Sequence, residues 1–282
     1  MDIASGLPPD TPVWRHAATP CLEPAAAEVL LRVSGVTKYF GQRAGCIDVD
    51  LELHAGDVLA IAGESGSGKT TLLNCISGRS QPDAGTVEFN TRHEGIQDIY
   101  RLSEPRRRLL ARTDWGYVHQ NPRDGLRINV SAGANVGERL MAIGGRHYGN
   151  IRTATHDWMN RVELDAGRID DMPVTFSGGM QQRLQIARNL VTHPRLIFMD
   201  EPTASLDVSV QARLLDLLRG LTRDLSLAAI IVTHDLAVAR LLAHHLMIMK
   251  DGRVVESGLT DQVLDDPQHP YTQLLVSSVL QA

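Results

Sequence analysis

Residues 63–71, which read GESGSGKTT, restrict the possible folds of this chain more than any other segment. They satisfy the pattern G-x-x-x-x-G-K-[ST]. A continuously apolar run, VLAIA at residues 58–62, precedes them, and a segment with apolar residues on one helical face, residues 72–78, follows. A glycine-rich turn that matches the pattern by chance has no reason to carry such flanks. The order of buried strand, glycine loop and helix therefore predicts a parallel α/β domain with a phosphate-binding loop.

The chemistry of this loop follows from its residue types. Glycines let the backbone approach phosphates closely, and the N–H groups at the start of the helix present a positive potential to the anion. Lys69 is expected to reach the β- and γ-phosphates of a nucleotide, and the Thr70 hydroxyl is expected to bind Mg²⁺. The residues expected to hold the nucleotide here are Gly63, Glu64, Ser65, Gly66, Ser67, Gly68, Lys69, Thr70 and Thr71.

A second apolar run, residues 196–199, ends in an acidic pair. A triphosphate site needs another carboxylate for its metal and a group that activates water. We therefore expect Asp200 to hold Mg²⁺ and Glu201 to accept a proton from the attacking water. The alternative is that the pair merely caps a helix.

Composition narrows the set of partners. The 282 residues carry a formal net charge of −5, which gives no general reason to expect nucleic acid or an anionic membrane as the partner. The arginine cluster within residues 101–112 is either a solvated helix face or a surface for an acidic partner. The 3 cysteines show no metal-ligand spacing, and no apolar run approaches the length of about 18 residues that spans a bilayer. These features predict a cytoplasmic protein.

The chain divides into three regions. Residues 1–28 contain scattered prolines and no apolar period, and they are expected to be a mobile extension without chemistry. Residues 29–260 form the predicted α/β domain, with a mostly helical insertion at about residues 103–179. Residues 261–282 form a C-terminal tail. The further strands are predicted at residues 29–33, 47–53, 196–199 and 228–232, with a hairpin turn at residues 250–253.

Four further segments resemble the motifs of the ATP-binding cassette (ABC) ATPases, and their order and spacing match that family over most of residues 29–260. The matching residues are Gln120 (Q-loop), Ser177, Gly178, Gly179 and Met180 (signature loop), Asp207 in the sequence SLD (D-loop) and His234 (switch histidine). The resemblance implies an α/β fold of the P-loop NTPase class, the ABC ATPase. This fold has a RecA-like parallel-sheet core, an antiparallel β subdomain and a helical signature subdomain.

The resemblance also implies how these residues work. Two copies pack head to tail, so that ATP on one glycine loop is also held by the signature loop of the other copy. His234 would contact the γ-phosphate, Gln120 would contact the metal and the water, and Tyr39 would stack on adenine. A lone histidine or glutamine is otherwise more often an ordinary hydrogen-bonded residue, but the matched order favours these roles. Phe176 and Met180 depart from the commoner leucine and glutamine of the signature loop, which leaves its fine geometry open.

A more specific resemblance concerns what ATP hydrolysis drives. Residues 119–142, 176–194, 208–216 and 274–280 closely resemble the ATP-binding subunit of the carbon–phosphorus lyase system. This resemblance implies a role in phosphonate breakdown, with a homodimer that docks on a soluble lyase core rather than on a membrane permease.

The alternative is the ATPase subunit of a peptide-, nickel- or phosphonate-type importer, because residues 269–275 resemble the C-termini of such ATPases. A cassette protein of DNA repair or of the ribosome is disfavoured by the single set of motifs and by the acidic net charge.

Overall fold

The computed structural model describes residues 28–204 and 206–279. The predicted extension, apart from Glu28, lies outside the described residues, as does Ser205 of the predicted D-loop.

The described chain begins with three consecutive strands and ends with two helices, with strands and helices in mixed order between them. The strands are β1 (Val29–Phe40), β2 (Arg43–His54), β3 (Val58–Ala62), β4 (Ala84–Thr91), β5 (Gly95–Asp98), β6 (Trp115–Val118), β7 (Leu196–Asp200), β8 (Ala228–Thr233), β9 (His245–Lys250) and β10 (Arg253–Leu259). The helices are α1 (Lys69–Ile76), α2 (Glu104–Thr113), α3 (Pro122–Gly125), α4 (Ala132–Ala142), α5 (Tyr148–Arg161), α6 (Gly178–Leu190), α7 (Val208–Asp224), α8 (Leu236–Leu242), α9 (Thr260–Asp265) and α10 (Pro270–Val279).

These strands form two sheets. One is antiparallel, in the order β2-β1-β4-β5. The other has the order β10-β9-β3-β8-β7-β6, and all its neighbouring strands are parallel except β9 and β10. The β9–β10 hairpin turns at Asp251 and Gly252, whose φ angles of 48° and 79° are both positive, as a tight two-residue turn requires.

Helix α1 packs between the two sheets. Leu72, Leu73 and Ile76 are all 0% exposed and lie in one cluster with apolar side chains of both sheets. Every residue of β3 is buried, as the continuous apolar run predicts. Because β3 and α1 are both fixed by burial, the loop that joins them is held at the carboxyl ends of the parallel strands, where α/β proteins bind ligands.

The predicted helical insertion contains α2 to α5, but it also contains one strand. β6 pairs in parallel with β7 at the edge of the core sheet, and Trp115 packs edge-on against Phe89 and Phe198. The sequence analysis missed this strand because its four residues, WGYV, are too few to show a strand period and include only one β-branched residue. Within residues 28–204 and 206–279, every helix is too short or too polar to span a membrane.

Candidate functional site

The glycine loop can form only because glycines occupy its tightest points. Gly63 and Gly68 have φ angles of 147° and 102°. A Cβ atom on Gly63 would lie 2.2 Å from the carbonyl oxygen of Met249, and one on Gly68 would lie 2.0 Å from that of Gly45. The backbone therefore passes directly against neighbouring backbone, and any side chain at either position would displace the loop.

Lys69 lies inside this loop and is 5% exposed. Its ammonium donates hydrogen bonds to the carbonyl oxygens of Gly63 and Glu64, both at 2.7 Å. Burial lowers the pKa of Lys69, and the nearby carboxylates of Glu201 and Asp200 act in the opposite direction. The charged amine is thus enclosed by the loop that is predicted to wrap the phosphates.

Thr70 and Asp200 meet across the site, because the start of α1 lies beside the carboxyl end of β7. The Thr70 hydroxyl donates to Asp200 Oδ1 at 3.1 Å, and burial raises the pKa of Asp200. A hydroxyl and a carboxylate are hard oxygen ligands of the kind that Mg²⁺ takes, with water and phosphate oxygens completing its shell. The described residues contain no group of three or more His, Cys, Asp or Glu that could hold a metal ion.

Two of the three predicted catalytic residues, Gln120 and His234, contact the carboxylate of the third, Glu201. Glu201 Oε2 lies 3.3 Å from Gln120 Nε2 and 3.1 Å from His234 Nδ1. Glu201 has a positive φ of 44°, and its N–H donates to the carbonyl oxygen of Val232 at 2.9 Å. Sequence segments around residues 120, 201 and 234 are therefore brought to one point by the parallel order of β6, β7 and β8.

The predicted signature loop lies at the start of α6. Ser177 is its N-cap and accepts a hydrogen bond from the Met180 N–H at 3.3 Å, while Gly178 and Gly179 form the first turn. Ser177 and Gly178 are exposed, and in the part of the chain that the structure describes no hydrogen bond or ion pair joins residues 177–180 to the glycine loop. This helix start presents free N–H groups of the kind that bind anions, and it remains a predicted second anion site of the same chain.

Two other predicted site residues lie at element ends. Tyr39 is 45% exposed near the end of β1. Its N–H donates to Asp83 Oδ2 at 2.7 Å, and Lys38 Nζ donates to Asp83 Oδ1 at 2.8 Å. Asp83 was not predicted, and the Lys38 ammonium with the Tyr39 N–H lowers its pKa. Asp207 is the exposed N-cap of α7.

The sequence analysis also missed two buried amides that hold the free edge of β6. Gln185 accepts from the His119 N–H at 2.6 Å and donates to the His119 carbonyl at 3.2 Å. Asn189 accepts from the Tyr117 N–H at 3.0 Å and donates to the Tyr117 carbonyl at 2.9 Å. The two amides lie one helical turn apart on α6. Tyr117 of β6 and His119, the first residue after β6, are two positions apart and face the same edge, so the amides bond this edge as a neighbouring strand would.

A buried arginine extends this amide ladder. Arg139 of α4 donates to Asn189 Oδ1 at 3.1 Å and to the carbonyl of Trp115 at 2.7 Å, and burial lowers its pKa to about 10. The helix that begins at Ser177 is therefore tied to the strand that leads into Gln120. The i, i+4 spacing of Gln185 and Asn189 is the only sequence signal of this link, and it equally suits an exposed helix face.

Comparison with known proteins agrees with this geometry. The family model described as ABC transporter matches residues 46–204. The phosphonates utilization ATP-binding protein PhnK of Escherichia coli (strain K12) is 64% identical over 252 residues, which cover 89% of this chain and 98% of PhnK. The dipeptide transport ATP-binding protein DppD of the same organism is 33% identical over 260 residues, covering 89% of this chain and 78% of DppD.

Solved structures agree as well. A dimeric post-hydrolysis structure of the ATP-binding cassette MJ0796 bound to ADP and Pi has a TM-score of 0.73 and 28% identity, covering 82% of this chain and 99% of that one. The cbiO1 structure from Clostridium perfringens has a TM-score of 0.74 and 26% identity, covering 85% of this chain and 92% of that one. The predicted fold class is confirmed. This chain belongs to the ABC transporter family, and it is an ATP-binding, ATP-hydrolysing cassette.

Proposed function

We propose that this chain is the ATP-hydrolysing subunit of a carbon–phosphorus lyase system for phosphonate breakdown. It dimerises head to tail around two ATP molecules in the cytoplasm and docks on the lyase core, where ATP turnover drives a conformational step. The observation that carries this proposal is the 64% identity to PhnK over 98% of that protein. The similarity extends well beyond the motifs that bind and hydrolyse ATP, into the helical region where a cassette contacts its partner. No nucleic acid partner is expected.

Within the site, we assign the residues of the glycine loop and Tyr39 to ATP binding. Lys69 supplies a positive charge to the β- and γ-phosphates from inside the loop. Its existing hydrogen bonds to two loop carbonyls, each 2.7 Å long, support this role because they hold the ammonium inside the loop that is assigned to the phosphates.

The attack by water is assigned to the carboxylate cluster. Glu201 accepts the proton of the attacking water, while His234 and Gln120 orient the carboxylate and the γ-phosphate. Mg²⁺, when bound, neutralises charge on the phosphate oxygens. Thr70, Asp200 and Gln120 would hold it. The 3.1 Å contact between Thr70 and Asp200 supports this ligand set.

The second half of the site is assigned to another copy of the chain. Ser177, Gly178, Gly179 and Met180, with Asp207, are proposed to complete the ATP site of the partner copy. The exposure of Ser177, Gly178 and Asp207 supports this, because a helix start on the surface is open to a phosphate that another copy brings to it. The dimeric state of the MJ0796 structure is consistent with the same arrangement here.

One alternative has an observation in its favour. The identity of 33% to DppD, over 89% of this chain, supports a subunit of a peptide-, nickel- or phosphonate-type importer, whose partner would be a membrane permease. The much higher identity to PhnK favours the lyase assignment.

The partner can be identified directly. The tagged chain is expressed in its native host during growth on a phosphonate as the phosphorus source. It is then purified without detergent and, in parallel, in mild detergent, with a non-hydrolysable ATP analogue present. Recovery of lyase subunits without detergent is the expected result. Recovery of a multi-span permease in detergent, with no lyase subunits in either preparation, would overturn the proposal in favour of the importer.

A further inference from the structure

Residues 269–275 of the C-terminal tail, which resemble the tails of importer ATPases, are anchored on β10. Glu256 of β10 accepts hydrogen bonds from the N–H groups of Gln268 at 2.8 Å and His269 at 3.0 Å. The Tyr271 N–H donates to His269 Nδ1 at 3.1 Å. These bonds fix the start of α10 against the hairpin β9–β10, so the position of Tyr271 is set by the fold.

The side chain of Tyr271 connects the anchored tail to the glycine loop. Its side chain is almost fully buried, at 6% exposure, and the Lys250 ammonium lies 4.8 Å from the centre of its ring. Its phenol oxygen accepts a hydrogen bond from the N–H of Glu64 at 3.1 Å. The tail therefore contacts the backbone of the loop that is assigned to the phosphates.

The contact falls on one particular peptide group. The N–H of Glu64 and the carbonyl of Gly63 belong to the same peptide unit, and in a trans peptide they point in opposite directions. Tyr271 takes the N–H, while the Lys69 ammonium donates to the Gly63 carbonyl at 2.7 Å. The plane of this peptide is thus held from both sides, once by the tail and once by the lysine.

The Gly63–Glu64 peptide needs such outside contacts because Gly63 is flexible. Its φ of 147° is open to glycine but not to most other residues, and glycine by itself fixes its neighbouring peptides weakly. We propose that Tyr271 is a positioning residue for ATP binding. Through the Glu64 N–H it fixes the Gly63–Glu64 peptide, and with it the Lys69 ammonium, in the arrangement that receives the phosphates.

The test compares ATP binding by purified variants, using isothermal titration with MgATP at low temperature. Tyr271→Phe keeps the ring and its packing but leaves the Glu64 N–H without this acceptor. We expect its dissociation constant for ATP to rise about three- to tenfold, the effect of one lost hydrogen bond in a pre-formed site. In steady-state hydrolysis we expect KM for ATP to rise by a similar factor, with kcat close to that of the wild type. Tyr148→Phe, which removes an exposed phenol from α5, is the matched control and should bind as the wild type does.

Further measurements separate positioning from folding. The melting temperature of nucleotide-free Tyr271→Phe should fall by no more than about 2–4 °C, so that the variant is fully folded at the temperature of the titration and weaker binding cannot be ascribed to partial unfolding. If Tyr271→Phe binds ATP as tightly as the wild type while Tyr271→Ala binds weakly, the tail acts by packing alone and the inference is wrong. Because the inference rests on the phosphate-binding role proposed for the loop, Lys69→Ala serves as a benchmark. Undiminished binding by that variant would overturn both assignments, whereas undiminished binding by Tyr271→Phe alone would overturn only the inference.

Discussion

At the residue scale, the Glu201 carboxylate is the point where segments far apart in sequence converge. Gln120 and His234 both lie within 3.3 Å of the same carboxylate oxygen. A carboxylate in this position can take a proton from a water that the neighbouring side chains hold, which a carboxamide of the same shape cannot do.

Replacing Glu201 by glutamine should therefore separate binding from hydrolysis. We expect Glu201→Gln to lower kcat for ATP hydrolysis by about 10²- to 10⁴-fold, the range for loss of a general base, while ATP binding is retained. Phosphate release and nucleotide titration, both with Mg²⁺ and with the partner proteins present, check this. Glu104→Gln, an exposed change on α2, is the control. Hydrolysis near the wild-type rate in Glu201→Gln would show that another group accepts the proton.

Replacing Lys69 by alanine should instead weaken the binding of ATP. The variant loses a charge-assisted hydrogen bond to the phosphates, which contributes about 1.5–3 kcal/mol, so we expect ATP binding to weaken by about 10- to 150-fold. Titration with MgATP measures this directly. Arg106→Ala removes a positive charge from the exposed pair with Glu94 and should leave the affinity unchanged. Equal affinities for Lys69→Ala and the wild type would exclude Lys69 from the phosphate site.

At the scale of elements, the sequence is most informative where periodicity and motif agree. β3, the glycine loop and α1 were predicted from an apolar run, a motif and one helical face, and all three lie where expected. β6 was missed because a four-residue edge strand has no period to detect. The amides of Gln185 and Asn189 that support it are polar side chains in a helix, and only the tertiary fold buries them.

The amide ladder leads to a stability prediction. Asn189→Ala leaves the Tyr117 N–H and an Arg139 N–H without their acceptor, in a place that is 4% exposed in the wild type. Buried donors left in this state cost about 1–3 kcal/mol, so the free energy of unfolding should fall by about that amount. Denaturant titration measures it. Asn160→Ala, at an exposed position of α5, should change stability by no more than about 0.5 kcal/mol. Equal stabilities for the two variants would mean that the ladder bonds are replaced by water at no cost.

At the scale of the whole molecule, the chain carries two proposed anion-binding surfaces, and among the described residues no hydrogen bond or ion pair joins one to the other. The glycine loop and the Glu201 cluster lie at the carboxyl ends of the core strands, and residues 177–180 start α6 on an exposed surface. The sequence indicates both surfaces through their motifs. It gives no spatial measure of their separation, because that depends on how the helical insertion packs on β6. A head-to-tail dimer would bring each surface of one copy to the other surface of its partner.

Gly178 provides a test of this dimer that leaves the single copy intact. A Cβ atom there would meet only Leu206 Cδ2, at an ordinary 3.9 Å, whereas on Gly179 it would lie 2.5 Å from Val210 Cγ1. Gly178→Asp should therefore fold, while placing a carboxylate where the partner's γ-phosphate would lie. In the Glu201→Gln background with ATP, we expect a dimer by analytical ultracentrifugation, and we expect Gly178→Asp to abolish it without weakening ATP binding. Gly220→Asp, the same change in open space on α7, should leave the dimer unaffected. A persistent dimer in Gly178→Asp would show that the copies associate through another surface.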